Sequence, residues 1–345
     1  MNFIDKIVNK SLPYVIAEIG INHNGSISLA KKMIDAAKEN LADCVKFQLF
    51  IADEYISDFA DKADYQNHEQ FKSQTQKQII KETQLNIDDI QELKEYSENI
   101  NIDFLCTPFD ITSLKSLTKL NLNALKISSC NLTNYPFLNE AALSNIPVLL
   151  STGMSTMQEV EKAVNIFKSH NCPLLLFQCT SNYPSKTENA NLNVLKSFKK
   201  KFDVPLGLSD HTQNNLSAIG AVALGAIIIE KHFTTSRELS GIDQSASITP
   251  NELKKLVEDI RGCKLALGSY EKKRSEEENN TFKALRRSLV ASRDIKKNEI
   301  ISIDMISIMR PGNGLSTEYL SQILGKKSIS DISRHHLIKL SDIEN

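Results

Sequence analysis

The sequence predicts an α/β fold, a (β/α)₈ TIM barrel followed by a small β-rich domain. From Tyr14 to about residue 268, short apolar runs rich in β-branched residues alternate with segments of helical period. Such alternation, with continuous apolar strands, is typical of a parallel sheet covered on both faces. About eight such units in about 250 residues match the size of a TIM barrel. A doubly wound open sheet is the alternative that periodicity alone does not exclude.

Eight apolar runs are the predicted strands, in chain order 14–20, 44–50, 103–109, 124–129, 147–153, 174–180, 205–210 and 226–233. Amphipathic segments between them predict helices, among them 28–40, 87–100 and 156–170. A last helix is predicted at 250–267, where Pro250 suits the first helical turn. A long polar insertion, 52–83, follows the second strand. On a barrel it would lie over the catalytic face, where we expect a lid.

The barrel is assigned to residues 1–268, and a linker and a second domain follow it. Segment 269–285 is densely charged and poor in apolar residues, which predicts a partly helical linker. Residues 286–345 have short β-rich runs, turns and one short helix around 317–324. So small a unit has a thin core, and we expect it to lean on a neighbour.

Composition argues against several classes of partner. The formal net charge is −1, so no overall charge draws the chain to nucleic acid or to an acidic membrane. The first residues lack the apolar core of a signal peptide, and no apolar run reaches the roughly 18 residues of a spanning helix. The six cysteines are scattered without a C-x-x-C pair, which indicates reduced thiols. We therefore expect a cytoplasmic protein without nucleic-acid or membrane partners.

Nearly every predicted strand is apolar until its C-terminal end, where polar or ionisable residues appear. A barrel brings all these ends to one face, and barrel chemistry is built there. Taken singly, a Ser or Thr at such a position more often caps a helix, and a buried Lys is often half of an ion pair. Their convergence favours a site, with the candidate residues Glu18, Lys46, Gln48, Thr107, Lys126, Ser129, Ser151, Asn182, Tyr183, Ser209, His211, Glu230 and His232.

These residue types indicate a site with two halves. Lys46 and Lys126, with the hydroxyls and an amide, suit a phosphate and a carboxylate on one small molecule. His211 and His232 follow adjacent strands and suit a divalent metal, with the two glutamates completing its shell or orienting it. Such a ligand set fits Mn²⁺, Co²⁺ or Zn²⁺. Arg310, in the turn RPGNG, is interpreted as part of a lid, the alternative being a solvated surface arginine.

Nine short motifs carry a family resemblance. In order they are AEIGINHNGS (17–26), KFQ (46–48), TPF (107–109), LSTGM (150–154), CTSNYP (179–184), GLSDHT (207–212), AVALGA (221–226), EKHFT (230–234) and RPGNG (310–314). Each motif is weak alone, but the ordered set resembles the bacterial sialic-acid synthase family, including legionaminate and related nonulosonate synthases. In that family the barrel carries an antifreeze-like (SAF) domain.

The resemblance implies an enzyme that condenses phosphoenolpyruvate with an N-acetylhexosamine, giving N-acetylneuraminate or a related nonulosonate and phosphate. It implies a divalent metal on His211 and His232, with Mn²⁺ ahead of Co²⁺ or Mg²⁺. The positions that match phosphoenolpyruvate contacts are Lys46, Lys126, Thr107, Ser129, Ser151, Asn182 and Ser209. Those on the sugar side are Gln48, Tyr183 and Asp243, and the acidic residues near the metal are Glu18 and Glu230. The resemblance also implies a homodimer with swapped C-terminal domains, in which Arg310 reaches the neighbouring subunit's site.

Two departures from the family pattern bear on function. Where the family has a pattern resembling K-I-x-S-G-[DE] after strand four, this chain has Cys130 and Asn131 at the last two positions. Asn131 can hydrogen-bond a sugar hydroxyl but cannot move a proton. In the common S-G-P-D, Ile242 replaces the proline while Asp243 is kept, which we interpret as a loop adjustment. Two alternatives stay open: a legionaminate-type synthase with a different hexosamine, and a catalytically impaired homologue that acts as a binding or assembly subunit.

Overall fold

The computed structural model describes residues 2–63, 66 and 71–344 and divides the chain into two compact units. The first unit is Met1–Gly268 and the second is Ser269–Asn345. Among the described residues, no helix is both long enough and apolar enough to cross a membrane.

The first unit is a closed barrel of eight parallel strands in sequence order, which confirms the predicted barrel over the open sheet. The strands are β1 (Tyr14–Gly20), β2 (Cys44–Leu49), β3 (Asp103–Pro108), β4 (Leu125–Ile127), β5 (Val148–Ser151), β6 (Leu174–Cys179), β7 (Leu206–Asp210) and β8 (Ile228–His232). Pairing of β1 with both β2 and β8 closes the ring. All eight strands are almost fully buried, as continuous apolar runs predict for a sheet covered on both faces.

Helices alternate with these strands. They are α1 (Phe3–Val8), α2 (Ile27–Glu39), α3 (Ala52–Tyr55), α4 (Gln76–Glu82), α5 (Ile87–Asn99), α6 (Ile111–Leu117), α7 (Tyr135–Leu143), α8 (Met157–Ser169), α9 (Val194–Lys201), α10 (Leu216–Ala223) and α11 (Pro250–Leu267). Local sequence explains several starts: Thr156 and Glu159 form a reciprocal capping box at α8, and Asn86 and Asp89 form one at α5.

The N-terminal end of the barrel is filled with apolar side chains. Helix α1 contributes Phe3, Ile4 and Ile7 to a cluster with interior strand residues such as Ile16 and Leu105. Near the same end, Asp103 accepts hydrogen bonds from Tyr14 Oη and Lys6 Nζ, both at 2.5 Å. The sequence interpretation had no helix here. Because this end is packed and apolar, the polar chemistry is confined to the opposite, C-terminal ends of the strands.

The insertion after β2 folds over the C-terminal face. It contains α3 and α4, whose apolar side chains form a cluster of their own with loop residues such as Ile21, Phe50 and Ile242. Of the segment predicted as a lid, residues 64, 65 and 67–70 lie outside the described residues. The described part borders the cavity presented below.

The second unit begins with a charged segment that contains α12 (Glu278–Leu285). Strands β9 (Ser288–Ala291) and β10 (Ile306–Met309) pair antiparallel. A turn of 3₁₀ helix, Thr317–Tyr319, leads into α13 (Leu320–Ile323), where a short helix is predicted. The core of this unit is small and aliphatic, and its central residues are Leu289, Ile301, Ile323, Ile338 and Ile343.

Candidate active site

A cavity of about 510 Å³ opens at the C-terminal ends of the barrel strands. Every residue of the barrel that the sequence predicts for the site lines this cavity, except Asn131. The lining comes from the ends of nearly all the strands and from the insertion after β2. The residues predicted from the strand-end pattern therefore lie together in one cavity of the folded chain.

Four buried charges form the floor of the cavity. Lys46 Nζ lies 2.9 Å from Glu18 Oε2 and 3.5 Å from Glu230 Oε1, and Lys126 Nζ lies 3.8 Å from Glu230 Oε1. Burial alone would lower the pKa of Lys46. The nearby carboxylates of Glu18 and Glu230 have the larger effect, so the pKa is raised. Burial lowers the pKa of Lys126 and raises that of Glu18. Charges of both signs are thus buried together, which is costly unless they are paired or used to bind a ligand.

Hydroxyl groups surround the two ammonium groups. Lys46 Nζ donates to Thr107 Oγ1 at 3.2 Å, and Lys126 Nζ donates to Ser151 Oγ at 2.6 Å. Ser129 Oγ accepts from the backbone N–H of Gly153 at 2.9 Å. A Cβ at residue 153 would lie 2.2 Å from Ser181 Oγ, so this close approach requires glycine. Ammonium, hydroxyl and backbone donors on one floor suit an anion with several oxygens.

The two histidines predicted as metal ligands lie side by side, with ring centroids 5.3 Å apart. His211 Nδ1 lies 2.7 Å from the carbonyl oxygen of Thr180, so this nitrogen is the donor, and in the neutral ring Nε2 is the acceptor. His232 Nδ1 is buried and has no hydrogen-bond partner among the described residues. Burial lowers the pKa of His232 well below its usual value, which keeps the ring in the neutral form that a metal requires.

These two rings fit a divalent metal with an incomplete protein shell. In the described part of the chain, no group of three or more His, Cys, Asp or Glu side chains could hold a metal ion. Asp243 Oδ2 lies 3.7 Å from His232 Nδ1, and burial raises the pKa of Asp243 to about 7. Tyr183 packs on both rings, with centroids 4.2 Å from His211 and 5.4 Å from His232. A metal here would take its remaining ligands from substrate or water.

A buried ion pair stands behind the histidines. Asp210 and Lys231, which immediately precede His211 and His232, are register partners on β7 and β8. Lys231 Nζ donates to Asp210 Oδ2 at 2.7 Å and to the carbonyl oxygen of Asn214 at 2.9 Å. The backbone N–H of Thr212 donates to Asp210 Oδ1 at 2.9 Å. These bonds fix the loop that carries His211.

Asn131, which was also predicted for the site, does not line this cavity. Asn131 Nδ2 donates to the carbonyl oxygen of Phe109 at 3.2 Å, and its Oδ1 accepts from Asn134 Nδ2 at 3.1 Å. Its neighbour Cys130 lines the cavity instead. Arg310 follows β10 in the second unit, where its side chain is exposed.

Sequence reasoning missed part of the lining. Ser181 follows β6 between Thr180 and Asn182, and a polar residue in the strand-end pattern was the signal that could have found it. The insertion supplies Tyr55, Ile56 and Ile80 to the lining. No strand-end signal marks these residues, because they reach the cavity only through the fold of the insertion.

Comparison with known proteins agrees with this architecture. The model of the NeuB family matches residues 33–272, and that of the SAF domain matches residues 286–344. The chain is 40% identical to the N,N'-diacetyllegionaminic acid synthase of Campylobacter jejuni, over 94% of this chain and 98% of that protein. It is 39% identical to the protein of the same name from Legionella pneumophila, over 93% of this chain and 91% of that one.

A third relative and a solved structure are less similar in sequence. The human N-acetylneuraminate-9-phosphate synthase is 32% identical, over 96% of this chain and 93% of that protein. The crystal structure of N-acetylneuraminic acid synthetase from Leptospira borgpetersenii, in complex with citrate, is 35% identical. It superposes with a TM-score of 0.70, over 78% of this chain and 90% of that one. Matched over most of its length by sequence and by fold, the chain belongs to the NeuB family of sialic-acid and related nonulosonate synthases and carries a C-terminal SAF domain.

Proposed function

We propose that this protein joins phosphoenolpyruvate to an acylated hexosamine, forming a nonulosonate and releasing phosphate, with Mn²⁺ as the preferred metal. The single observation that carries this is the pairing, in one cavity, of two buried lysines with two adjacent histidines. Carbon–carbon bond formation between a phosphorylated enol and an aldehyde can use both halves, one to bind the anion and one to activate the aldehyde. Membership of the NeuB family supports the same reaction class.

The anion floor holds the first substrate. Phosphoenolpyruvate carries a phosphate and a carboxylate, and Lys46 and Lys126 offer one ammonium group to each end of such a molecule. Thr107, Ser129 and Ser151 supply hydroxyls beside them. Held this way, the enol carbon faces the aldehyde in one orientation, and such positioning can contribute about 7–11 kcal/mol to lowering a bimolecular barrier.

The second substrate binds on the histidine side. A metal held by His211 and His232 would supply Lewis-acid polarisation of the aldehyde oxygen. C3 of the enol then bonds to the aldehyde carbon, water adds at C2, and the tetrahedral product of that addition expels phosphate. In this scheme Glu18, which accepts from Gln48 Nε2 at 2.9 Å, links the anion floor to the sugar side. Asp243 and Tyr183 orient the sugar beside the histidines.

Among hexosamines, we propose a sugar with two acylamino groups ahead of N-acetylmannosamine. The two relatives named for N,N'-diacetyllegionaminic acid are 40% and 39% identical to this chain over the aligned residues. The N-acetylneuraminate-9-phosphate synthase is 32% identical. We also propose a homodimer with swapped SAF domains, in which Arg310 completes the anion site of the other subunit.

A turnover assay tests the proposal. Purified protein is incubated with Mn²⁺, phosphoenolpyruvate and a panel of mono- and diacylated hexosamines, and phosphate and nonulosonate are measured. We expect equal amounts of both products with at least one sugar, and loss of both in His211→Ala. Saturable phosphoenolpyruvate binding without product from any sugar would contradict the proposal and favour the impaired homologue. Asn131→Glu, assayed in parallel, reports whether the missing carboxylate limits the rate.

A further inference from the structure

One side of the cavity is apolar, in contrast to its charged floor. Five side chains form it, and we call them the apolar wall: Phe50, Tyr55, Ile56, Ile80 and Phe109. The reaction of the proposed function takes place between charged and polar groups, so it gives this surface no role.

The apolar wall is a packed structure. The ring centroids of Tyr55 and Phe109 lie 4.9 Å apart, and that of Phe50 lies 6.3 Å from Tyr55 and 6.2 Å from Phe109. All five side chains belong to the apolar cluster of the insertion, which is separate from the main barrel core. The wall therefore offers a substrate a preformed surface rather than mobile side chains.

The topology of the barrel sets the wall apart from the histidines. Phe50 follows β2 and Phe109 follows β3, whereas His211 follows β7 and His232 ends β8. In a closed barrel of eight strands in sequence order, β3 and β7 are four strands apart and so face each other. An open-chain hexose whose aldehyde lies at the histidines extends its far carbons across the cavity toward the wall.

The wall also lacks charge. Among the described residues that line the cavity, the lysines are Lys46 and Lys126 on the floor, and no arginine lines it. The described lysines of the insertion do not line the cavity: Lys77 and Lys81 pair with Asp53, and Lys62 Nζ donates to the carbonyl oxygen of Phe71. The methyl end of an acyl group gains from contact with such a surface, whereas a hydroxyl placed against it loses its water partners and gains no apolar contact.

On these grounds we propose that the apolar wall is the binding site for an acyl group carried by the sugar at a carbon remote from its aldehyde. This inference rests on the proposed function and names the residues that select between its substrates. The wall favours a hexose whose remote substituent is an acylamino group over the same hexose with a hydroxyl there. The competing explanation is that these side chains only anchor the insertion to the barrel.

Two sugars that differ in one substituent test the proposal. They are N-acetylmannosamine and 2,4-diacetamido-2,4-dideoxymannose, and the measured quantity is the ratio of their kcat/KM values. Because both sugars use the same floor and the same histidines, a general loss of activity cancels in this ratio. We expect the wild-type ratio to favour the diacylated sugar by on the order of 10–200-fold, the range of apolar discrimination in enzyme pockets.

Neighbouring isoleucines give a matched pair of variants. Ile79 and Ile80 are both buried in the cluster of the insertion, but only Ile80 lines the cavity. Ile80→Thr places a hydroxyl on the wall and should lower the ratio by about tenfold, within the range expected for one methyl-sized contact. Ile79→Thr makes the same change away from the wall and should leave the ratio unchanged. Phe109→Leu is a second wall variant that keeps an apolar side chain, and it should lower the ratio by less.

The outcomes separate the inference from the proposed function. An unchanged ratio in both Ile80→Thr and Phe109→Leu, or an equal change in Ile79→Thr, would overturn the acyl-binding site while turnover itself continues. A wild-type ratio near one would overturn it as well. Absence of product from either sugar in the wild-type protein would instead overturn the proposed function, and the inference with it.

Discussion

Lys126 lies at the floor of the cavity, where burial lowers the pKa of its ammonium group and the nearby Glu230 opposes that effect. Lys126→Met keeps the length of the side chain and removes its charge. We expect kcat/KM for phosphoenolpyruvate to fall on the order of 10–100-fold, the value of one hydrogen bond to a charged group. Ser151→Ala, which removes a neutral partner of the same ammonium group, should cost less. Unchanged kinetics in Lys126→Met would remove this residue from the substrate site.

The buried ring of His23 predicts how the stability of the protein depends on pH. Its ring is buried beside Phe47, its Nε2 has no hydrogen-bond partner in the described structure, and burial lowers its pKa from 6.5 to about 4. The unfolded chain therefore binds a proton between these pH values while the folded chain does not. Stability should fall by about 3 kcal/mol as the pH drops from 6.5 to 4 and should gain nothing from this residue above pH 6.5.

Urea unfolding from pH 4 to pH 7 measures this effect. In His23→Gln, which has no ionisable group at this position, the pH dependence of the unfolding free energy should be shallower than in the wild-type protein across that window. Parallel curves for the two proteins would contradict the role assigned to His23.

The sequence predicts the site residues at strand ends better than those in loops. The strand-end rule placed Lys46, Lys126 and the histidines in one cavity, because a side chain at the end of a barrel strand has few other places to go. Asn131, which was predicted from the family pattern and not from the strand-end rule, does not line the cavity: it follows β4 in a 3₁₀ turn and bonds to Asn134 and to the backbone of Phe109. A loop side chain is directed by local hydrogen bonds, and these do not follow from strand period.

At the scale of elements, β7 and β8 depend on the ion pair of Asp210 and Lys231, whose side chains are 2% and 1% exposed. Lys231→Met leaves Asp210 buried without its counter-charge. We expect the free energy of unfolding to fall by about 3–5 kcal/mol, as for other broken buried pairs. The double change Asp210→Asn with Lys231→Met should recover part of this loss, since no uncompensated charge remains. Urea unfolding of the three proteins checks this, and equal stability of wild type and Lys231→Met would contradict it.

The strands themselves were predictable to within about two residues at most ends, because buried parallel strands read as continuous apolar runs. Helices α2, α5, α8 and α11 also match their predicted segments. Helix α1 and the fold of the insertion were not predictable. In α1 six residues are too few to show a helical period, and the insertion packs its apolar side chains against loops distant in sequence.

At the scale of the whole molecule, the proposed swapped dimer predicts that each active site uses two chains. A heterodimer is purified from co-expressed, differently tagged His211→Ala and Arg310→Ala chains. One of its two barrels keeps both histidines and receives an intact Arg310 from the other chain, so we expect roughly half the wild-type activity, while either homodimer is inactive. An inactive heterodimer of normal size would contradict the exchange. The arrangement is expected only from the family resemblance, because strand period and burial within one chain carry no information on contacts between copies.

The proposed function requires that this protein make a carbon–carbon bond between phosphoenolpyruvate and a sugar aldehyde. The most direct measurement is ¹³C NMR of a reaction supplied with phosphoenolpyruvate labelled at C3, Mn²⁺ and a diacylated hexosamine. We predict that the labelled vinyl signal is replaced by that of a methylene carbon coupled to the former aldehyde carbon when the sugar is labelled at C1. Labelled pyruvate as the only product, or no change in the vinyl signal with any hexosamine, would contradict the claim.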